Sequence, residues 1–123
     1  MDRKAVEKWV DGYERAWRAA GTDGLADLFA PEAGYLIAPW AEPILGLAAI
    51  AEFWDDEREG PDEDFTMESE VVAVEDETAV VRVEVEYGGA APIRWRDMWI
   101  LRFDESERCI WFEEWAFPPD PTN

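Results

Sequence analysis

The sequence contains no histidine and only one cysteine, Cys109, in 123 residues. Without histidine, Ser/His and Cys/His catalysis are excluded, and so are nearly all zinc sites. A single cysteine cannot form an internal disulfide. The apolar strand pattern around Cys109 is typical of a packed side chain rather than a reactive thiol. We therefore expect neither a metal nor another cofactor.

Basic residues are also scarce. Eleven Lys and Arg stand against thirty Asp and Glu, which gives a formal net charge of −19. Such a charge repels phosphate backbones and anionic lipid surfaces, so nucleic acid is not expected as a partner. The acidic residues are scattered along the chain, which indicates a solvated surface, and an acidic or halophilic proteome would explain the excess equally well.

Long apolar runs and a secretory signal are absent as well. No apolar run approaches the roughly 20 residues of a membrane span, so no membrane association is expected. Residues 1–4 lead directly into an amphipathic pattern without an apolar stretch or cleavage site, which favours a cytoplasmic location. Because neither a repeat nor a linker interrupts the chain, residues 1–123 are predicted to form one domain.

An apolar stripe predicts a first helix over residues 3–20, with Asp2 and Gly21 as caps. Its members recur at spacings of three and four: Val6, Trp9, Val10, Tyr13, Trp17 and Ala20. A short second helix is predicted next, with Thr22 as its cap and Pro31 as its stop. Its apolar residues are Leu25, Leu28 and Phe29.

Three further features are predicted before residue 64. Residues 35–37 are expected to form a short strand, and residues 39–43 a loop. A third helix follows and ends at Gly60-Pro61. Its apolar face consists of Leu47, Ile50, Ala51 and Trp54.

Beyond Asp64 the apolar period changes to two, which predicts strands over residues 65–74, 78–87, 93–103 and 109–117. Their connections are short and polar or glycine-rich, as in hairpins. The sequence therefore predicts an α+β fold in which three N-terminal helices pack on a curved antiparallel sheet.

Charge pairing predicts the register of two hairpins, because opposed residues of unlike sign are favourable. If Tyr87 faces Ile93, Glu86 faces Arg94 and Glu84 faces Arg96 on one side of the sheet. The opposite, apolar side then contains Val83 facing Asp97. A three-residue turn at residues 75–77 would place Glu70 opposite Arg82, in agreement with this assignment. The apolar side thus carries one carboxylate, Asp97, which could be a site residue or a partner of Arg15 or Arg18.

The last hairpin is less well determined. A four-residue loop over residues 104–107 would place Trp99 opposite Phe112 and Asp97 opposite Glu114. A loop of another length would bring Glu113 to the inner face instead or shift the partner. Two acids are therefore expected to meet inside an apolar wall.

Several segments, in their order along the chain, carry a family resemblance. They are the stretch with Trp9, Tyr13 and Trp17, residues 28–33, residues 46–50, and Arg96-Asp97-Met98-Trp99. The chain resembles the NTF2-like superfamily and, within it, a SnoaL-like domain. The resemblance implies a cone-shaped fold with a deep pocket and frequent dimers through the outer sheet face. It also implies isomerase, dehydratase, cyclase, epoxide hydrolase or non-catalytic binding functions.

Two departures from those family members limit what can be transferred. The histidine of the dehydratases is absent, and the Arg-x-Asp pair of the epoxide hydrolases is not reproduced, because Arg96 is adjacent to Asp97. In catalytic members, carboxylates of the pocket wall commonly act without a cofactor. The resemblance thus favours Asp97 and Glu114 as catalytic residues.

The leading hypothesis is a cofactor-independent isomerase, lyase or cyclase acting on a small hydrophobic carbonyl or polyketide-like compound. Asp97 would be the base and Glu114 the proton donor or partner. The predicted ligand-binding residues are Tyr13, Trp17, Tyr35, Trp54, Met67, Ser69, Tyr87, Trp95, Trp99 and Phe112. The alternatives are a non-catalytic binder of an apolar ligand and a dimeric interaction module. In a third interpretation, Met98, Ile100, Trp111 and Trp115 form an interface on the outer face.

Overall fold

The computed structural model describes residues 1–57, 64–88 and 93–118. Within these residues, three helices and six strands follow one another. They are α1 (Arg3–Arg18), α2 (Leu25–Leu28), β1 (Phe29–Leu36), β2 (Ile44–Leu45), α3 (Leu47–Glu57), β3 (Phe65–Glu75), β4 (Thr78–Tyr87), β5 (Ile93–Phe103) and β6 (Cys109–Phe117). In these residues no helix has the length and apolar character to cross a membrane.

The strands form one curved sheet in the order β2-β1-β6-β5-β4-β3. All neighbours are antiparallel except β1 and β6, which are parallel. The predicted α+β fold with N-terminal helices is confirmed, and the bounds of β3 to β6 agree with the predicted strands to within one residue. The predicted stop of α3 at Gly60-Pro61 and most of the loop after Gly88 lie outside the described residues.

Helix α1 begins where the sequence predicts. The Asp2 carboxylate accepts a hydrogen bond from the Ala5 backbone N–H at 2.8 Å, which satisfies one of the free donors of the first turn. The helix ends at Arg18 rather than at residue 20, because Ala19 already has an extended backbone. Its apolar stripe packs against the sheet, and the stripe residues Val6, Trp9 and Tyr13 are buried.

Two arginines attach α1 to the edge strand β3. Arg3 Nη1 donates to the Val71 carbonyl at 2.6 Å, and Arg18 Nη2 donates to the Phe65 carbonyl at 2.9 Å. The spacings match, since fifteen helical residues span about 22 Å and six strand residues about 20 Å. The helix therefore lies antiparallel to β3 and over the inner face of the sheet. It also occupies backbone acceptors of an edge that would otherwise be open.

The region around Pro31 differs from the sequence-based prediction. Phe29 was expected in the second helix and Pro31 as its stop, but Phe29 begins β1 and the strand continues through Pro31. The register of β1 against β6 shifts between Phe29 and Gly34. Pro31 lies in this interruption, where its missing N–H breaks no ladder hydrogen bond. The two-residue strand β2, which pairs with Gly34 and Tyr35, was not predicted.

The predicted register of the β4–β5 hairpin is confirmed: Tyr87 faces Ile93 and Val83 faces Asp97. In the first hairpin Glu70 faces Arg82, as expected, and their ion pair measures 2.6 Å. The predicted three-residue turn is wrong, however. The turn has two residues, Asp76 and Glu77, with Asp76 at φ 52°, and the register shift between Val71 and Ala73 supplies the additional residue.

The predicted partners in the last hairpin are wrong. Trp99 faces Glu114, and Asp97 faces Ala116. The loop between β5 and β6 has one residue more than predicted, and a bulge between Cys109 and Trp111 adds another. A shift of two residues restores the alternation of a strand, so Glu114 still points to the inner face.

Candidate functional site

A cavity of about 280 Å³ lies between the inner face of the sheet and helices α1 and α3. Its volume is near the lower end of the roughly 300–1,000 Å³ range of small-molecule pockets. Most of its wall is aromatic: Tyr13, Trp17, Tyr35, Phe53, Phe65, Tyr87, Trp95 and Trp99. Three acids, Glu57, Asp97 and Glu114, also line the cavity.

Most of the predicted site residues line this cavity. They are Tyr13, Trp17, Tyr35, Met67, Tyr87, Trp95, Asp97, Trp99 and Glu114. Three others do not. Trp54 and Phe112 are fully buried and do not line the cavity, and Ser69 is exposed although its register partner Val83 is on the inner side. A residue's position in a strand predicts only which face of the sheet it lies on. At Ser69, on the edge strand β3, the inner face is still open to solvent.

Sequence reasoning missed several lining residues. Phe53 and Glu57 lie one helical turn apart on α3, and Ile37 follows the end of β1. The signal for Phe53 was present, because it follows the predicted core residue Ile50 at a spacing of three. The signal for Ala116 was present too, because it lies two residues after Glu114 and therefore on the same face of β6.

Among the charged residues that the structure describes, Asp97 is the one that is buried, with 8 % of its surface exposed. Its Oδ1 atom is buried and has no hydrogen-bond partner among the described residues. Burial, followed by the charge of Glu114 and a hydrogen bond with it, raises the pKa of Asp97 to about 8. This shift favours the protonated form of Asp97 at neutral pH.

Glu114 has a different environment from Asp97. Trp99 Nε1 donates a hydrogen bond to Glu114 Oε2 at 2.9 Å. Burial raises the pKa of Glu114, while hydrogen bonds from Asp97 and Trp99 act in the opposite direction by stabilising the carboxylate. The two groups form a coupled pair, and this unequal hydrogen bonding favours the proton on Asp97 and the charge on Glu114.

The pair is not a structural ion pair with a helix arginine. Arg18, one of the two partners considered from the sequence, bonds Glu14 and the Phe65 carbonyl instead. Arg15 lines a separate groove between α1 and α2. Within the described ranges, neither Asp97 nor Glu114 is in an ion pair.

Two tyrosines complete the polar wall. The hydroxyl oxygens of Tyr13 and Tyr35 lie 3.2 Å apart, and one donates to the other. Both rings stack on Phe112 at interplanar angles of 4° and 8°, so this buried ring positions the pair from behind. Burial raises the pKa of both tyrosines, which keeps the hydroxyls protonated beside the acids.

Metal-ligating side chains do not cluster in the described part of the chain: no three Cys, Asp or Glu residues there are grouped so that they could hold a metal ion.

A family model described as "SnoaL-like domain" matches residues 6–110. The chain belongs to this family. The resemblance noted from the sequence is thus confirmed. A search of curated proteins finds no match to this SnoaL-like domain.

Solved structures similar to this SnoaL-like domain span nearly the whole chain. SalBIII, an epoxide hydrolase/cyclase-like enzyme in pyran ring formation in the polyether salinomycin, has a TM-score of 0.76 at 14% identity, covering 94% of this chain and 93% of its own. An NTF2-like protein of unknown function from Cytophaga hutchinsonii has a TM-score of 0.66 at 10% identity, with 93% and 97% covered.

The CaMKII hub from S. rosetta is also similar, with a TM-score of 0.67 at 17% identity and coverages of 93% and 95%. At these identities the similarity shows the fold alone. The NTF2-like fold predicted from the sequence is confirmed.

Proposed function

We propose that this SnoaL-like domain binds a small hydrophobic molecule in its cavity and catalyses a cofactor-independent proton transfer on it, as an isomerase, lyase or cyclase. The observation that carries the proposal is a carboxyl pair, the buried Asp97 and the half-buried Glu114, in a mostly aromatic cavity. Burying two acids without a protein cation costs free energy, which a purely structural core would avoid. Such a cost is typical of a site that uses the groups.

In this proposal Glu114 is the base and Asp97 the proton donor, the reverse of the assignment expected from the sequence. Glu114 accepts the Trp99 indole N–H, which stabilises its charged form, whereas Asp97 Oδ1 has no such donor. A general base must be ionised and a general acid protonated at the working pH. The environments of the two carboxyl groups separate their roles in this way.

Aromatic walls surround the carboxyl pair, and the hydroxyls of Tyr13 and Tyr35 add hydrogen-bond donors near it. A small carbonyl or polyketide-like compound would meet apolar surface around its ring or chain and donors at its oxygen. SalBIII, which acts in pyran ring formation, has the same fold and lends support to a cyclase among the possible activities.

Titration of the side-chain carboxyl carbons by ¹³C NMR tests this acid/base proposal. We expect one aspartate signal of the wild type to titrate near pH 8 and to disappear in Asp97→Asn. In Glu114→Gln the pKa of Asp97 should fall, because the neighbouring charge is removed. Glu113→Gln, one residue away from Glu114 and on the outer face, should leave the pKa of Asp97 unchanged. A wild type in which every carboxyl titrates below about pH 5 would exclude the acid/base proposal.

A second candidate function is assembly through the outer sheet face. The outer patch, defined as Met98, Ile100, Trp111 and Trp115, lies on the paired strands β5 and β6. Glu113 accepts both indole N–H groups of this patch, from Trp111 at 3.0 Å and from Trp115 at 2.7 Å. The rings can therefore contact a second apolar surface without leaving N–H groups unpaired.

We propose that the outer patch forms a homodimer interface, as the similarity to a hub protein suggests. Sedimentation velocity should detect a dimer at micromolar concentration. Trp115→Ala should weaken it about tenfold or more, as is typical of a buried aromatic anchor. Added salt should strengthen the dimer, because two chains of net charge −19 repel each other. Trp40→Ala, on a loop outside the patch, is the control, and a wild type that remains monomeric would contradict the proposal.

A further inference from the structure

The charge of the cavity is of one sign. Its lining contains the acids Glu57, Asp97 and Glu114, and none of the described lining residues is Lys or Arg. Arg18 approaches from outside, where its guanidinium lies 3.9 Å from the centre of the Phe65 ring and bonds the Phe65 carbonyl. An anionic ligand would therefore meet carboxylates without a compensating cation.

The carboxyl pair also has an unfilled acceptor. Asp97 Oδ1 is buried without a hydrogen-bond partner in the described chain, although Asp97 belongs to the cavity wall. A buried acceptor without a donor costs free energy, and so does a buried carboxylate without a counter-charge. A ligand that brings both a positive charge and N–H donors would remove both costs at once.

The remaining wall suits the same ligand. Rings of Trp, Tyr and Phe attract cations through their electron-rich faces, and most of this wall consists of such rings. The cavity volume of about 280 Å³ fits a compound with one or two rings better than a large polycyclic one. Size, apolar surface and charge thus select one ligand class.

We propose that the ligand of this cavity is a small apolar compound carrying a protonated amine, which pairs with the carboxyl groups of Asp97 and Glu114. The inference rests on the proposed small-molecule role of the cavity and holds whether or not a proton transfer follows. It names the charge of the ligand, which neither the fold nor the family determines.

Three bicyclic probes of nearly the same shape test the charge preference: 2-aminoindane as the cation, 2-indanol as the neutral compound and indane-2-carboxylate as the anion. Their dissociation constants are measured by isothermal titration calorimetry at pH 7 and physiological ionic strength, where charges beyond about 8 Å are largely screened. We expect 2-aminoindane to bind at least about tenfold more tightly than 2-indanol, a difference of about 1.4 kcal/mol. Indane-2-carboxylate should bind most weakly.

Two matched variants test whether the carboxyl pair causes the preference for the cationic probe. Glu114→Gln keeps the shape and the acceptor for Trp99, and should bring 2-aminoindane close to the affinity of 2-indanol without weakening 2-indanol. Glu113→Gln removes the same charge from the outer face and should retain the tenfold preference. Equal losses in both variants would attribute the preference to the acidic surface and overturn the inference.

The outcomes also separate this inference from the proposed function. If 2-indanol binds and 2-aminoindane binds no more tightly, the amine inference is wrong while the small-molecule site stands. If none of the three probes binds, both proposals fail.

Discussion

Wild-type protein is expected to accelerate the exchange of the α-protons of 2-indanone in D₂O, and Glu114→Gln is expected to lower this rate about 10²–10⁴-fold. The exchange requires only a base that removes a proton next to a carbonyl and a donor that stabilises the oxygen. It therefore tests the proposed chemistry without knowledge of the natural substrate. Loss of the ketone α-proton signals in ¹H NMR gives the rate.

Matched variants make the exchange experiment specific. Glu113→Gln, at the neighbouring position of β6, should exchange 2-indanone at the wild-type rate because its carboxylate lies on the outer face with Trp111 and Trp115. Asp97→Asn should lower the exchange rate less than Glu114→Gln does, since the asparagine amide can still donate a hydrogen bond. The reverse order would assign the base to Asp97, as the sequence alone suggested. A wild-type rate equal to that of buffer would favour the non-catalytic binder.

The inner face of the sheet was predictable because opposed charges identify a register. If Glu84 and Arg96 lie on one side of the sheet, Val83 and Asp97 must lie on the other, because successive strand residues alternate between the two faces. The same alternation explains why Glu114 was assigned correctly to the inner face from wrong partners. Two extra residues, one in the loop and one in the bulge, leave the face unchanged.

Other features had no local signal. The pairing of β1 with β6 brings residues about 80 positions apart into register, and such long-range pairing depends on the whole fold rather than on a local pattern. Pro31 was predicted to end a helix because the sequence gives no sign of the register shift in β1. That shift, which is seen only in the sheet, allows a proline within the strand. The roles of Asp97 and Glu114 could not be separated either, since the deciding contact is the Trp99 indole.

Asp97→Asn is expected to stabilise the protein increasingly as pH rises from roughly pH 4 toward pH 8, by at most about 1.4 kcal/mol for each pH unit. The unfolded chain releases the Asp97 proton near pH 4, whereas the folded protein holds it until about pH 8. Between these values the native state binds a proton that the unfolded state lacks, so the wild type loses stability as pH rises. Asparagine has no proton to release, and its variant escapes this loss.

Urea unfolding of both proteins at pH 5, 6, 7 and 8 measures this difference in the free energy of unfolding. Asp104→Asn is the control: hydrogen bonds from Ser106 and Arg108 lower the pKa of Asp104, so its contribution is complete at pH 5 and lost only toward acid. The Asp104→Asn difference should therefore be constant over this range. A constant difference for Asp97→Asn as well would mean that Asp97 is ionised in the folded protein, and Asp97 would then have no proton to donate to a substrate.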